Sequence, residues 1–241
     1  MFPYVHKQPI ILVGRLNSPA ALAATSLGFS VASVTGYTML ISFVNGLATL
    51  AGQAYGSRQY ATVGYNVQAA LLLSTALGIF PISFIWIFSK YILLFLGQEE
   101  SVSVNAGKFL VIMVPSVFTY AYRQCIQIWM QAQGIVKPFT INAIISFVLS
   151  TAMTWALVSK YGFIGSAWAQ TVITSLMFAL DAGYVIFSGA YKKTWKEFSI
   201  KKAMPSVKPM LKLAVLSLIM ATGTSYTRTT AFLSLSLSLI L

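Results

Sequence analysis

The run AALAATSLGFSVASVTGYTMLISFVNGLATLAG, from Ala20 to Gly52, contains no charged residue. About 20 helical residues cross the ~30 Å hydrocarbon core of a bilayer. This run is longer than one crossing needs, so a helix here has to tilt, bend or protrude, with Gly28, Gly36 and Gly46 as bending points. Helix is the required conformation, because lipid offers no partner to an unpaired backbone N–H or C=O. Working outward, four more stretches have the same character. They are Val63–Ser89, with a kink expected at Pro81; Phe109–Gln133, with Pro115 and one interior charge, Arg123; Pro138–Ser159; and Phe163–Ser188. A sixth apolar stretch begins near Met210, is short, and runs into polar sequence containing Arg228. The expected fold is all-α, a polytopic transmembrane helix bundle.

Composition agrees. The 241 residues are 57 % hydrophobic and 8 % charged, against about 25 % charged in ordinary globular chains, and the mean hydropathy is +0.78. Four acids (Glu99, Glu100, Asp181, Glu197) could not keep a surface of this size in water. The net charge of +12 is local, because seven of the sixteen basic residues fall between Lys192 and Lys212. That clustering reads as a membrane flank and not a nucleic-acid face. The single cysteine, Cys125, and single histidine, His6, exclude an intramolecular disulfide and a multi-histidine metal site. No phosphate-binding GxxxxGK[ST], GxSxG or HExxH motif is present, so neither an ATP-driven pump nor a membrane hydrolase is encoded in these residues. No catalytic residue, metal or cofactor is expected. Pro3, Lys7 and Pro9 interrupt the N-terminus, so insertion is expected to rely on the first full span.

Lys and Arg in the loops set the orientation. One side collects Arg58, Lys137 and the seven lysines of 192–212; the other holds Arg15, Lys108, Lys160 and both loop acids, Glu99 and Glu100. The 192–212 segment is therefore expected to be a cytoplasmic loop. The closing FLSLSLSLIL, 232–241, alternates with period two, unlike the spans, and reads as a low-complexity terminus.

Several stretches carry a resemblance. Val13–Leu16 (VGRL) precedes Ala20–Gly28 (AALAATSLG), and Leu47–Gly56 reads LATLAGQAYG. Then come Phe95–Gln98 (FLGQ), Met130–Gln133 (MQAQ), Tyr161–Ala167 (YGFIGSA) and Thr194–Phe198 (TWKEF). In order and spacing these resemble the multidrug and toxic compound extrusion (MATE) family of secondary transporters. The resemblance implies that the spans correspond to helices two to six of a twelve-helix, two-lobed protein, with the start of helix seven. It implies most of one six-helix lobe, and a fragment without its second lobe. The implied organisation is 1–19, end of a first helix and outer turn; 20–190, a five-span lobe; 191–212, a basic cytoplasmic linker; 213–241, an incomplete next helix and atypical tail. The implied activity is export of organic cations or other xenobiotics and metabolites against H+ or Na+, in a plasma or vacuolar membrane. A channel or a membrane scaffold is the alternative. Expected partners are the lipid bilayer, a small-molecule substrate and a second lobe.

Individual residues stand out within this frame. Arg123 lies deep in its span, where charge is costly and faces protein or water; it reads either as a cavity residue or as a partner of helix-end carbonyls. Gln124, Gln127 and Gln131 recur at helical spacing beside Tyr120, as a hydrated cavity face or as glue between helices. Asp181 is the only acid inside a span, either an ion-coupling carboxylate or a solvated or Arg/Lys-paired helix end. Gly52, Gln53 and Gly56 of the GQAYG motif form a helix-end packing element or a gating element, with Gly56 suited to positive φ. Two departures from the family pattern bear on these residues. The resembling motif places its arginine at Ile128, not Arg123, and an apolar residue at position 181.

Overall fold

The computed structural model describes residues 13–14, 19–195 and 197–240, with side chains as far as Met220. Most of the expected 1–19 segment, including His6 and Arg15, lies outside the described residues, as does the side chain of Arg228. The described elements are α1 (Pro19–Ala32), a π-helical segment (Ser33–Tyr37), α2 (Thr38–Gly56), α3 (Tyr60–Leu77), a second π segment (Gly78–Ile82), α4 (Ser83–Ile87), α5 (Ser89–Phe95), α6 (Glu100–Ala132), α7 (Lys137–Tyr161), α8 (Phe163–Ser188), a 3-10 turn (Ala190–Lys193) and α9 (Ile200–Ile240). Among the described residues, six helical stretches are long and apolar enough to cross a bilayer: Ala21–Gly56, Tyr60–Ile87, Glu100–Ala132, Lys137–Tyr161, Phe163–Ser188 and Ile200–Met220. The all-α polytopic bundle expected from the sequence is the observed fold.

Helix α6 is the axis of the bundle. It packs against α1, α2, α3, α4, α5 and α8; α7 leans on α8, and α9 on α2 and α3. Two apolar clusters stack along α6. One gathers Phe29, Leu40, Trp86, Phe109 and Met113. The other gathers Leu47, Val67, Trp129, Met130 and Met210, nearer the end of the bundle that carries Arg58, Lys137 and Lys193. That end is called the basic end below.

The length of the first span is absorbed where expected, at Gly36, by the π segment. One extra residue per turn there lets a side chain enter the helix groove. A Cβ at Gly36 would stand 2.5 Å from Trp86 Cζ2, and one at Gly28 2.7 Å from Phe109 Cδ1, so these glycines admit aromatic rings. Trp86 Nε1 donates to Thr35 Oγ1 (3.0 Å) inside the same segment. Pro81 sits in the second π segment, and Ser83 Oγ donates to the Gly78 carbonyl (2.6 Å) there. Around Pro115, Ser116 Oγ donates to the Met113 carbonyl (2.6 Å), while Thr171 of α8 donates to Ile112 (3.1 Å). Hydroxyls thus serve carbonyls beside the prolines, which is how a bilayer tolerates proline within a helix.

The basic 191–212 stretch differs from the expected linker. It is a short strap, 190–199, followed by helix from Ile200 through Pro205 and Pro209. Ala203, Met210 and Ala214 are buried and Val207 half-buried, a 4-3-4 spacing that gives the lysine-rich segment one apolar stripe. Met210 and Leu213 meet Gly46 of α2. The backbone continues as helix to Ile240, including the Ser–Leu alternation, because helix closes its own hydrogen bonds whereas a lone strand does not.

Gly36→Ala and Gly28→Ala place a methyl against an indole and a phenyl ring. Each is expected to destabilise the detergent-solubilised chain by about 1–3 kcal/mol, read as a fall in thermal unfolding temperature. Gly52→Ala, whose Cβ meets nothing within 4 Å, leaves that temperature unchanged.

Candidate functional site

Asp181 is 0 % exposed and stands at the meeting point of three helices. Its Oδ2 accepts from Arg123 Nε (2.9 Å) and Gln127 Nε2 (3.2 Å), both on α6. Its Oδ1 accepts from Asn142 Nδ2 on α7. Arg123 and Gln127 are one helical turn apart, so both reach the same carboxylate. Asp181 lies seven residues from the end of α8, Arg123 nine from the end of α6, and Asn142 five into α7. At 1.5 Å per residue these depths are about 8–14 Å from the basic end, so three independently placed polar residues share one level. An isolated charge at that depth is expensive, and a hydrogen-bonded opposite pair is the way a bundle carries one.

The sequence treats Arg123 and Asp181 as separate anomalies; the structure makes them a single ion pair. Within the helix-end reading of Asp181 the arginine-paired form is the one observed, since the carboxylate has no exposed surface. Arg123 is 6 % exposed and points its Nε into this pair and not toward helix-end carbonyls. Asn142 stands out in the sequence only as one of several polar residues within the spans, with no role of its own; its place one turn into a span after Pro138 was the available signal.

The expected glutamine face divides. Gln127 is buried on Asp181, Gln124 is half-buried with a buried Oε1 that has no hydrogen-bond partner among the described residues, and Gln131 is exposed. Gln131 stays on the same face, within about 40° of both, but lies one residue before the end of α6, past the end of the packed stripe. Tyr120 is buried, its ring edge-on to Tyr37 at 4.7 Å, and Tyr37 in turn bonds Ser116 Oγ (3.0 Å). Tyr120 thus belongs to the aromatic core of the far half and not to an open cavity wall.

The GQAYG motif ends α2 at the basic end. Gly52, Gln53 and Gly56 are exposed, and a Cβ at either glycine would meet nothing within 4 Å. The expected close packing at these residues is therefore not made within the described chain. Nor does Gly56 take the positive φ; Arg58 does, at 62°. Ser57 closes the helix end instead, its N–H and hydroxyl both donating to the Gln53 carbonyl (3.0 Å each).

Beside this motif the strap is bolted to the lobe. Thr194 Oγ1 accepts from Trp129 Nε1 (2.9 Å). Gln68 donates from Nε2 to the Glu197 carbonyl (2.6 Å) and accepts from the Ser199 N–H (2.9 Å). Gly64 leaves room for the Thr194 carbonyl, which any Cβ there would strike. Lys193 lies over the Tyr60 ring (4.4 Å) and donates to Tyr55 Oη (3.1 Å), a bond that raises its pKa. Glu197 takes Lys202 and the Tyr65 hydroxyl (2.8 Å), and these partners, Lys202 first, hold its carboxyl below the usual range.

Two expectations follow. Asp181→Ala or Arg123→Ala alone leaves a buried charge unpaired and destabilises by about 3–5 kcal/mol, whereas Arg123→Leu with Asp181→Leu costs much less; thermal unfolding of the solubilised variants reads the difference. A carboxylate with a depressed pKa stabilises its partners above its unfolded pKa and stops doing so as pH falls through the folded value. The protection of amides 194–203, taken against their intrinsic exchange rates, therefore falls in acid below the ordinary carboxylate range, and Glu197→Gln removes that dependence.

Residues 9–156 match the MatE family model. Protein DETOXIFICATION 16 of Arabidopsis thaliana is 38 % identical over 213 residues, covering 88 % of this chain and 43 % of the relative. Protein DETOXIFICATION 15 of the same plant is 36 % identical, over 88 % and 44 %. Among solved structures, the eukaryotic MATE transporter AtDTX14 superposes with a TM-score of 0.82 at 28 % identity, covering 89 % of this chain and 48 % of that one. An outward-facing multidrug resistance MATE family transporter gives 0.78 at 16 % identity over 94 % and 50 %, which shows the shared fold. The chain thus spans somewhat under half the length of the curated relatives it matches, in agreement with most of one six-helix lobe. With six membrane-crossing stretches and these matches, the chain belongs to the MATE family, whose members are integral multi-pass transporters and not enzymes.

Proposed function

We propose that this chain supplies one lobe of a secondary antiporter that exports organic cations or related amphipathic metabolites and xenobiotics against H+ or Na+. The observation that carries the reading is the MatE match over residues 9–156 on a helix bundle that superposes on about half of a MATE transporter. Transport in this reading is alternating access, in which two lobes rock about a central cavity. A lobe that rocks has to move as a unit. The Asp181 cluster, drawing donors from α6 and α7 onto α8, supports that rigidity.

The same geometry distributes roles. Arg123 and Gln127 are committed to Asp181, and Tyr120 to Tyr37. Gln124, half-buried and with no hydrogen bond to its Oε1 among the described residues, is the member of the expected cavity set not committed to the lobe, and it reaches a substrate only where the second lobe or a rearrangement uncovers it. Asp181 acts as a fixed charge that holds the lobe. In a transport-competent assembly Asp181→Asn lowers stability and transporter abundance more than it alters the ion dependence of the surviving activity. The exposed Gly52, Gln53 and Gly56 face offers small residues and one amide to the second lobe, as a gate at the basic end. That end, with 192–212, faces the cytoplasm, and the host membrane is the plasma or vacuolar membrane.

Reconstitution tests the reading. The 241-residue chain in liposomes under an imposed H+ or Na+ gradient is expected to show no organic-cation efflux, and co-reconstitution with a complementary second lobe restores it. Efflux by the chain alone overturns the one-lobe mechanism. Substrate-independent ion current replaces the antiporter with a channel.

A further inference from the structure

A cleft of about 670 Å3 opens between α3 and α8, backed by α6 and floored by the strap. Its walls include Leu72, Tyr122, Trp129, Phe178, Trp195 and Phe198. The volume is that of a ligand pocket, and none of the Asp181 cluster lines it. On α8 it occupies the half nearest the basic end, from Phe178 to Ile186, and on α3 it runs from Val67 to Thr75, seven to fifteen residues in from that end. At 1.5 Å per residue the α3 wall lies about 11–23 Å from the basic end, so the cleft runs from the strap at that end toward the middle of the bilayer, the level of acyl chains.

We propose that this cleft holds the acyl chains of an anionic phospholipid, with the headgroup phosphate on the lysines of the strap. Two sets of observations choose this occupant. Four polar side chains on the walls, Thr75, Tyr122, Gln68 and Trp129, are spent on protein partners. Thr75 Oγ1 shares a hydrogen bond with Tyr122 Oη (2.8 Å), Gln68 holds the strap backbone on both its amide atoms, and Trp129 Nε1 donates to Thr194. The walls therefore present hydrocarbon and aromatic faces, which suit an acyl chain better than a ligand that must be hydrogen-bonded. The mouth is basic. Lys192 follows the lining residue Tyr191 and lies against Gly189, whose Cβ would sit 3.5 Å from Lys192 Cε at the C-terminal end of α8. Lys201 follows the lining residue Phe198 by three positions and is exposed. The one acid of the segment, Glu197, is already held by Lys202 and Tyr65. An organic cation is repelled from such a mouth, and a lipid phosphate is drawn to it. Trp195 and Tyr191, lining residues on the strap, add the amphipathic rings that favour the headgroup level.

The inference rests on membrane embedding and not on the antiport reading, so its test uses no transport measurement. The full chain is purified in detergent doped with equal amounts of phosphatidylglycerol and phosphatidylcholine, and bound lipid is counted by native mass spectrometry. One retained phosphatidylglycerol is expected, preferred about tenfold, and excess glycerol phosphate does not displace it. Ala182→Trp, and separately Val185→Phe, fill the cleft and abolish the adduct. Lys192→Gln with Lys201→Gln keeps a lipid but removes the headgroup preference. Helicity and elution volume identify folded variants, and either filling variant suffices. As a second reading on the unmutated chain, brominated-chain phosphatidylglycerol quenches its tryptophan fluorescence more than brominated phosphatidylcholine does. Equal retention of both lipids, an adduct that survives a folded filling variant, or displacement by glycerol phosphate overturns the proposal.

Discussion

A single carboxylate with no exposed surface organises one half of this lobe. In water the Asp181 charge would be satisfied by solvent; among helices in lipid it has to be satisfied by the protein, and Arg123, Gln127 and Asn142 do so from two neighbouring helices. Because hydrophobic burial supplies little preference for one helix pairing over another within a bilayer, directional contacts of this kind fix rotation and depth. Shifting α8 by one residue past α6 would swing Asp181 about 100° away from Arg123. The lobe therefore has one register.

The rest of the packing uses the opposite device, removing side chains where helices must come close. Gly28 accepts the Phe109 ring, Gly36 the Trp86 ring, Gly46 the Met210 carbonyl and Gly64 that of Thr194. Where a helix cannot run straight, at Gly36 and Pro81, the chain inserts a π segment and returns to α. The two π segments touch each other, so the long first and second spans deviate together and keep their contact.

Much of this was legible in advance. Long apolar stretches located the first five spans, and Phe163–Ser188 coincides with α8. Prolines and glycines marked the irregular turns. What the sequence obscured was partnership. Arg123 and Asp181 are 58 positions apart, and a pair at that separation has no local periodic signature. The helix beginning at Ile200 was hidden for a different reason, since its lysines and two prolines outweigh an apolar stripe that only a 4-3-4 spacing reveals. The glutamines misled in the other direction: helical spacing places residues on one face, but whether that face is buried changes along the helix as its neighbours end.

The same division holds for the protein as a whole. The sequence by itself determined the solvent and the class of fold, because a chain with four acids and long uncharged runs can bury its backbone in lipid only as helices. Its ordered motifs also pointed to the MATE family. Only the tertiary structure decided which of its few charges are free. It joined the two intramembrane anomalies into a neutral pair, folded the basic strap onto α3 and α6, and left Gly52, Gln53 and Gly56 uncovered. The physical reason is that charge, unlike hydropathy, takes its cost from its neighbours, and neighbours in a bundle are set by packing across helices and not by position along the chain.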